Sequence, residues 1–213
     1  GAEAVRLMPA KRVFTLGVGH VRRQQLEIGA KADIPGEAKD TTVVELEGDE
    51  WAVLAALKRE LDRDEIAPEP WRRRAEEAAM DYARFLEVAR SLEAKGVIGR
   101  FSTFLEHVKK TKAGEAVTRY NALFHWRVPE GRELDAGREV GRFHCMTHAY
   151  WREGGPDFNH VNIMGVAHGR EKDRVLAHKA AIDEHLRSVG IDVSYTNVFW
   201  GGRSEIKPSE VLP

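Results

Sequence analysis

Residues 144–153, HCMTHAYWRE, gather side chains that do chemistry. At the two-residue period of a strand, His144, Met146, His148, Tyr150 and Arg152 share one face, and Cys145, Thr147, Ala149 and Trp151 the other. Imidazole moves protons near neutral pH and ligates metals, phenol relays or orients, and guanidinium holds carboxylates through paired N–H groups. Such a face suits metal ligation, proton transfer or carboxylate binding. The plainer reading is a dimer interface or a set of surface histidines.

The elements that position this segment set its meaning. From residue 120 the chain alternates strand and helix: YNALFHWRV as a strand, ELDAGREVG as a short helix, RFHCMTHAYWR and FNHVNIMGVAHG as strands, residues 171–190 as a long helix, and IDVSYTNVFW as a last strand. That β-α-β-β-α-β order predicts a ferredoxin-like sandwich of four antiparallel strands with both helices on one face. Val161, Ile163, Gly165 and Ala167 then point toward the helices. The other face collects His160, Asn162, Met164 and His168, with Asn121, Leu123, His125 and Arg127 by the same parity, so five of nine histidines fall on it. Cys145 is expected on the covered side as a small hydrophobe.

Upstream, residues 48–61 place Trp51, Leu54, Leu57, Lys58 and Leu61 at helical spacing. A second helix begins near Pro70, and a third, DYARFLEVARSLEAKG, turns Phe85, Val88, Ala89 and Leu92 inward and stops at Gly96. The alternating VIGRFSTFLEHV that follows suits a wing strand, which makes the segment a winged helix-turn-helix. Residues 12–18 form a short strand, and 29–42 read as a connecting loop. The expected organisation is therefore an N-terminal extension over 1–44, a winged helix over 45–108 and a ferredoxin-like domain over 115–213, an α+β chain.

Composition excludes several classes. Thirty-three Lys and Arg against 34 Asp and Glu leave a formal charge of −1, so no global field favours nucleic acid or an acidic membrane. The third helix sets Asp81, Glu87 and Glu93 against Arg84, Arg90 and Lys95, a neutral surface that argues against DNA reading. The run WRRR at 71–74 reads as a solvated helix start rather than a phosphate site, and GVGH at 17–20 is no dinucleotide fingerprint. One cysteine rules out an intrachain disulfide framework, and no HExxH motif or thiolate set points to zinc. No apolar run approaches a membrane span and the first residues do not resemble a signal peptide, so a cytoplasmic protein is expected, trimmed at its Gly start.

A winged helix closing on GVIGRF and followed by a βαββαβ domain resembles the Lrp/AsnC architecture. Within it, GVIGRFSTFLEH (96–107), THAYWRE (147–153), FNHVNIMGVAHG (158–169) and SEIKP (204–208) are similar, in order, to motifs of the siroheme decarboxylases. FNHVNIM stands where that family has an aromatic-Pro-Tyr start, and Ala149 where it has Cys.

The resemblance implies removal of CO2 from acetate side chains of siroheme to give didecarboxysiroheme, with no cofactor beyond the iron tetrapyrrole substrate. It makes His107 and His148 the catalytic or iron-proximal groups, with Tyr150 beside them and no protein-bound metal. Eight substrate carboxylates call for cations and donors, available as Arg119, Arg127, His144, Arg152, His168, Arg203 and Lys207. The implied partners are the tetrapyrrole and either a second copy or a homologous subunit. Two further readings stay open: an Lrp-like regulator sensing haem or a small ligand, and a non-catalytic tetrapyrrole-binding partner subunit.

Overall fold

A computed structural model describes residues 5–16, 26–40, 43–59, 61–98 and 118–201. The described residues form two compact units, one of residues 5–40 with 118–201 and one of residues 43–98.

The larger unit is built on β3 (Tyr120–Arg127), α4 (Glu133–Gly141), β4 (Met146–Trp151), β5 (Ile163–Gly169), α5 (Lys172–Ser188) and β6 (Tyr195–Gly201). These strands lie antiparallel in the order β4-β5-β3-β6, the ferredoxin-like arrangement expected from the order of elements. Ala122, Phe124, Trp126, Ile163 and Ala167 form the sheet side of the core, and Ala136, Val140, Val175, Ile182 and Leu186 close it from the helices. A buried polar link ties α5 to the sheet. The Trp126 indole N–H donates to Asp183 at 2.6 Å, and Lys179 pairs with the same carboxylate at 2.5 Å while lying over the Trp126 ring. Burial pulls the Lys179 ammonium down and Asp183 pulls it back, so the charge persists inside only because it is paired.

Two further strands come from the N-terminal segment. β1 (Arg12–Phe14) pairs antiparallel with β4, and β2 (Ala38–Asp40) pairs with β1, which extends the sheet to β2-β1-β4-β5-β3-β6. The strand expected over 12–18 is thus three residues long and part of the main sheet. Phe14, 2% exposed, seats its ring on Gly137 of α4, where a side chain on the helix would overlap it. This close approach anchors the added hairpin.

The smaller unit contains α1 (Gly48–Lys58), α2 (Arg72–Glu77) and α3 (Tyr82–Ala94). Asp81 caps α3, accepting from the Ala83 and Arg84 N–H groups, and Gly96 at φ +73° ends it with the Val97 N–H donating back to Leu92 O. Phe85, Val88 and Leu92 are buried, as their spacing requires. The buried face of α1 differs from the expected stripe. Glu50, Val53 and Ala56 point inward, Leu54 and Leu57 flank them, and Trp51 is 46% exposed. Glu50 turns inward because its carboxylate closes a capping box on the Glu47 N–H and pairs with Lys95 at 2.5 Å. The expected wing strand lies, from residue 99 onward, outside the described residues.

Candidate functional site

The sheet face away from α4 and α5 is organised in rows set by strand register. One row runs Asn197, His125, Met164, Tyr150 and Val13 across β6, β3, β5, β4 and β1. The next runs Phe199, Leu123, Val166 and His148, flanked by a row of Asn121 and His168 with Gly201. Arg127 and Tyr195 pair at the opposite end. The floor is therefore apolar, and His125, Tyr150, His148, His168 and Arg127 rise from or around it.

A β-bulge shapes this face. Met146 pairs with Ala167 and His148 with Val166, so Thr147 is the extra residue. The bulge turns Met146, fully buried, into the helix-side core, correcting the strict alternation that placed it beside His148. His144 also leaves the face: β4 starts only at Met146, and the His144 N–H donates to Ala30 O at 2.9 Å in the preceding turn. Asn162 is not on it either. Its side chain bonds both the N–H and C=O of Val128 at 2.9 Å and serves as a buried pin at the exit of β3. His160 has φ +54° in a left-handed turn before β5, so it too lies off the strand. Of the five histidines expected together, His125, His148 and His168 share the face.

The remaining polar groups form a layered stack. The rings of His148 and Tyr150 lie 5.7 Å apart at 19°, and the Arg152 guanidinium sits over the Tyr150 ring at 4.7 Å. The Thr147 hydroxyl lies 3.3 Å from His148 Nδ1 and donates to Val166 O, so the bulge residue steers the imidazole. Arg152 also donates to Met8 O, Lys11 pairs with Glu153, and the Lys11 N–H donates to Trp151 O at 2.9 Å. The N-terminal segment thereby holds the end of β4, a contact that the short strand expected over 12–18 did not foretell. Burial pushes the Tyr150 phenol up, with Arg152 opposing, so the hydroxyl keeps its proton and acts as a donor.

Arg127 is exposed at the end of β3, and Arg119, also exposed, precedes β3 with its N–H on Gly169 O at 2.9 Å. His107, Arg203 and Lys207 lie outside the described residues. Parity on the last strand, left unassigned in the sequence, adds Tyr195, Asn197 and Phe199 to the face. No group of three or more His, Cys, Asp or Glu side chains able to hold a metal occurs among the described residues. Cys145 is buried in the core and its thiol is pushed up to about 12 by burial, which makes it inert at neutral pH.

In the smaller unit the arginine run is committed to carboxylates. Arg72 pairs with Glu69, Arg73 with Glu77, and Arg74 with Glu65 at 2.5 Å in a buried bridge. Arg84 on α3 pairs with Asp49 and Glu87. Each of these four arginines thus has a carboxylate beside it. No helix among the described residues is long and apolar enough to cross a membrane.

Residues 118–197 match a family described as an AsnC-like ligand binding domain. Two curated relatives carry closely related names. The siroheme decarboxylase beta subunit of Desulfovibrio desulfuricans is 30% identical over 129 residues, which are 60% of this chain and 75% of that protein. The siroheme decarboxylase NirD subunit of Pseudomonas aeruginosa is 32% identical over 116 residues, 54% of this chain and 71% of its own length. Among solved structures, siroheme decarboxylase NirDL superposes with a TM-score of 0.52 at 21% identity, over 76% of this chain but 45% of that one. A second structure of it, in co-complex with an iron-uroporphyrin III analogue, gives 0.51 at 20% identity over 76% of this chain and 46% of that one. An AsnC family transcriptional regulator from Agrobacterium tumefaciens superposes at 0.53 with 16% identity, over 79% of this chain and 97% of its own. The structural likenesses establish the fold, and the two curated relatives establish the family: this chain belongs to the siroheme decarboxylases.

Proposed function

We propose that this chain is a subunit of a siroheme decarboxylase that removes CO2 from acetate side chains of siroheme, giving didecarboxysiroheme. The observation that carries the reading is the His148–Tyr150–Arg152 stack at the edge of an apolar sheet face, in a chain whose relatives are named for this activity. A flat, apolar macrocycle fits the floor of Leu123, Met164, Val166 and Phe199. Its acidic arms extend toward a rim supplied with Arg127, Arg152 and His168.

Decarboxylation breaks the bond between the acetate methylene and its carboxylate. CO2 departs, the electron pair moves into the electron-poor macrocycle, and one proton completes the methyl group. Arg152 holds the carboxylate, the protonated Tyr150 hydroxyl orients it, and His148, more exposed than either, delivers the proton. His107 and Lys207 keep the places the motifs imply, a second catalytic imidazole and a carboxylate contact. The reaction is redox-neutral and calls for no cofactor besides the substrate's own iron.

A two-module assembly follows from the same reading. The chain spans 45% of the NirDL chain, so a second module of similar size fits beside it, supplied by a homologous subunit or a second copy.

Single-turnover decarboxylation with His148→Ala tests the assignment. General acid catalysis is worth about 10²–10⁴-fold, so turnover falls by at least about a hundredfold while tetrapyrrole affinity changes little. Equal turnover in the variant removes His148 from the mechanism.

A further inference from the structure

His125 occupies the middle of the open face, and nothing in the proposed chemistry uses it. It is 6% exposed, and its Nε2 is buried with no hydrogen-bond partner among the described residues. Its neighbours in the row are Met164, 4% exposed, and Asn197, and the Phe199 ring leans on it at 4.7 Å. Burial keeps the imidazole neutral, so one ring nitrogen retains a free lone pair. An apolar residue would fill this position without leaving a polar atom unsatisfied. A ring retained there at a cost to stability points to use.

Position narrows the use. Strand spacing puts Tyr150 two strands, about 10 Å, from His125, and Arg127 two residues, about 7 Å, along the same strand. The acid-binding groups therefore surround His125 at roughly the distance between the centre of a tetrapyrrole and its carboxylate arms, and the space between is apolar. A neutral imidazole at the centre of such a platform matches the one part of an iron tetrapyrrole that the rim cannot address, its metal.

We propose that His125 ligates the iron of the tetrapyrrole bound on this face, fixing the macrocycle centre while the rim residues hold its arms. The Phe199 ring, 45% exposed on the edge strand, rotates aside to admit it. This rests on the tetrapyrrole reading above, and it leaves His148 for proton delivery rather than for the iron.

The test uses the full chain with iron(III) uroporphyrin and with metal-free uroporphyrin, and reads absorption and electron paramagnetic resonance, not turnover. The wild type binds the iron form about tenfold tighter and shows a nitrogen-ligated iron signature. His125→Val loses the signature and the preference but binds metal-free uroporphyrin within about twofold of wild type, while His148→Ala keeps the signature. In His125→Ala, added imidazole restores it, so the proposal remains testable if the valine variant does not fold. A signature that survives in both His125 variants, or vanishes only in His148→Ala, overturns the proposal and leaves the tetrapyrrole reading standing. Metal-free uroporphyrin bound with no preference for iron does the same. Failure of the wild type to bind either porphyrin, both alone and with a homologous subunit, overturns both.

Discussion

Burial pushes the His125 imidazole down to about 4, well below the 6.5 it has in an unfolded chain. Between those values the unfolded state binds the extra proton, so stability is full above about pH 6.5 and drains as pH falls toward 4. The loss is on the order of 3 kcal/mol across that window. Urea unfolding of His125→Val should give a flatter stability curve over pH 4–6.5 and, at pH 7, a gain of about 1 kcal/mol from removing an unsatisfied buried nitrogen. An unchanged slope would mean that His125 is solvated. At this scale parity alone marked His125, Leu123, Asn121 and Arg127 as sharing a face with His168 and Tyr150, and they do. What parity could not mark was which imidazole would be buried, because burial depends on Met164 and Phe199 from neighbouring strands. The Met8 carbonyl under Arg152 was equally invisible, since a backbone acceptor carries no sequence signal.

The bulge at Thr147 shows why a strand's alternation cannot be extended without limit: one inserted residue sends Met146 to the core and preserves the face for His148 and Tyr150. The helices and four strands from residue 120 onward were legible because period and turn residues agree along that stretch, whereas β1 and β2, three residues each, are too short to show a period. Their anchor is testable. Gly137→Ala favours helix α4 by roughly 1 kcal/mol in propensity but overlaps the Phe14 ring, and overpacking of a tight core costs about 1–3 kcal/mol. The substitution should therefore lower the melting temperature in the wild-type background. In Phe14→Ala, itself destabilised by about 3–5 kcal/mol, the same glycine change should become stabilising. Additive effects of the two changes would show that β1 does not pack on Gly137. In the smaller unit, burial raises the Glu65 carboxyl, but the Asp62 N–H and Arg74 outweigh it and hold the group below the usual range. Its contribution is present at neutral pH and is lost on acidification through its folded pKa. Glu65→Gln should remove that acid sensitivity, as monitored by unfolding near pH 4.

For the whole molecule the question is whether the AsnC-type architecture serves a regulator or an enzyme. Among the described residues, Arg72, Arg73, Arg74 and Arg84 are each tied to carboxylates within their own unit, and on that ground we expect little counterion release from DNA. A duplex titration at 50 mM salt should show binding no tighter than about 10⁻⁵ M, with a weak salt slope. Steep salt dependence and tight binding would favour the regulator. The central claim is most directly tested by anaerobic incubation with siroheme, alone and with a homologous subunit, followed by mass analysis of the extracted tetrapyrrole. The account predicts loss of two CO2 units, in full only when both halves of the assembly are present. Siroheme recovered with its mass unchanged in every combination would contradict it.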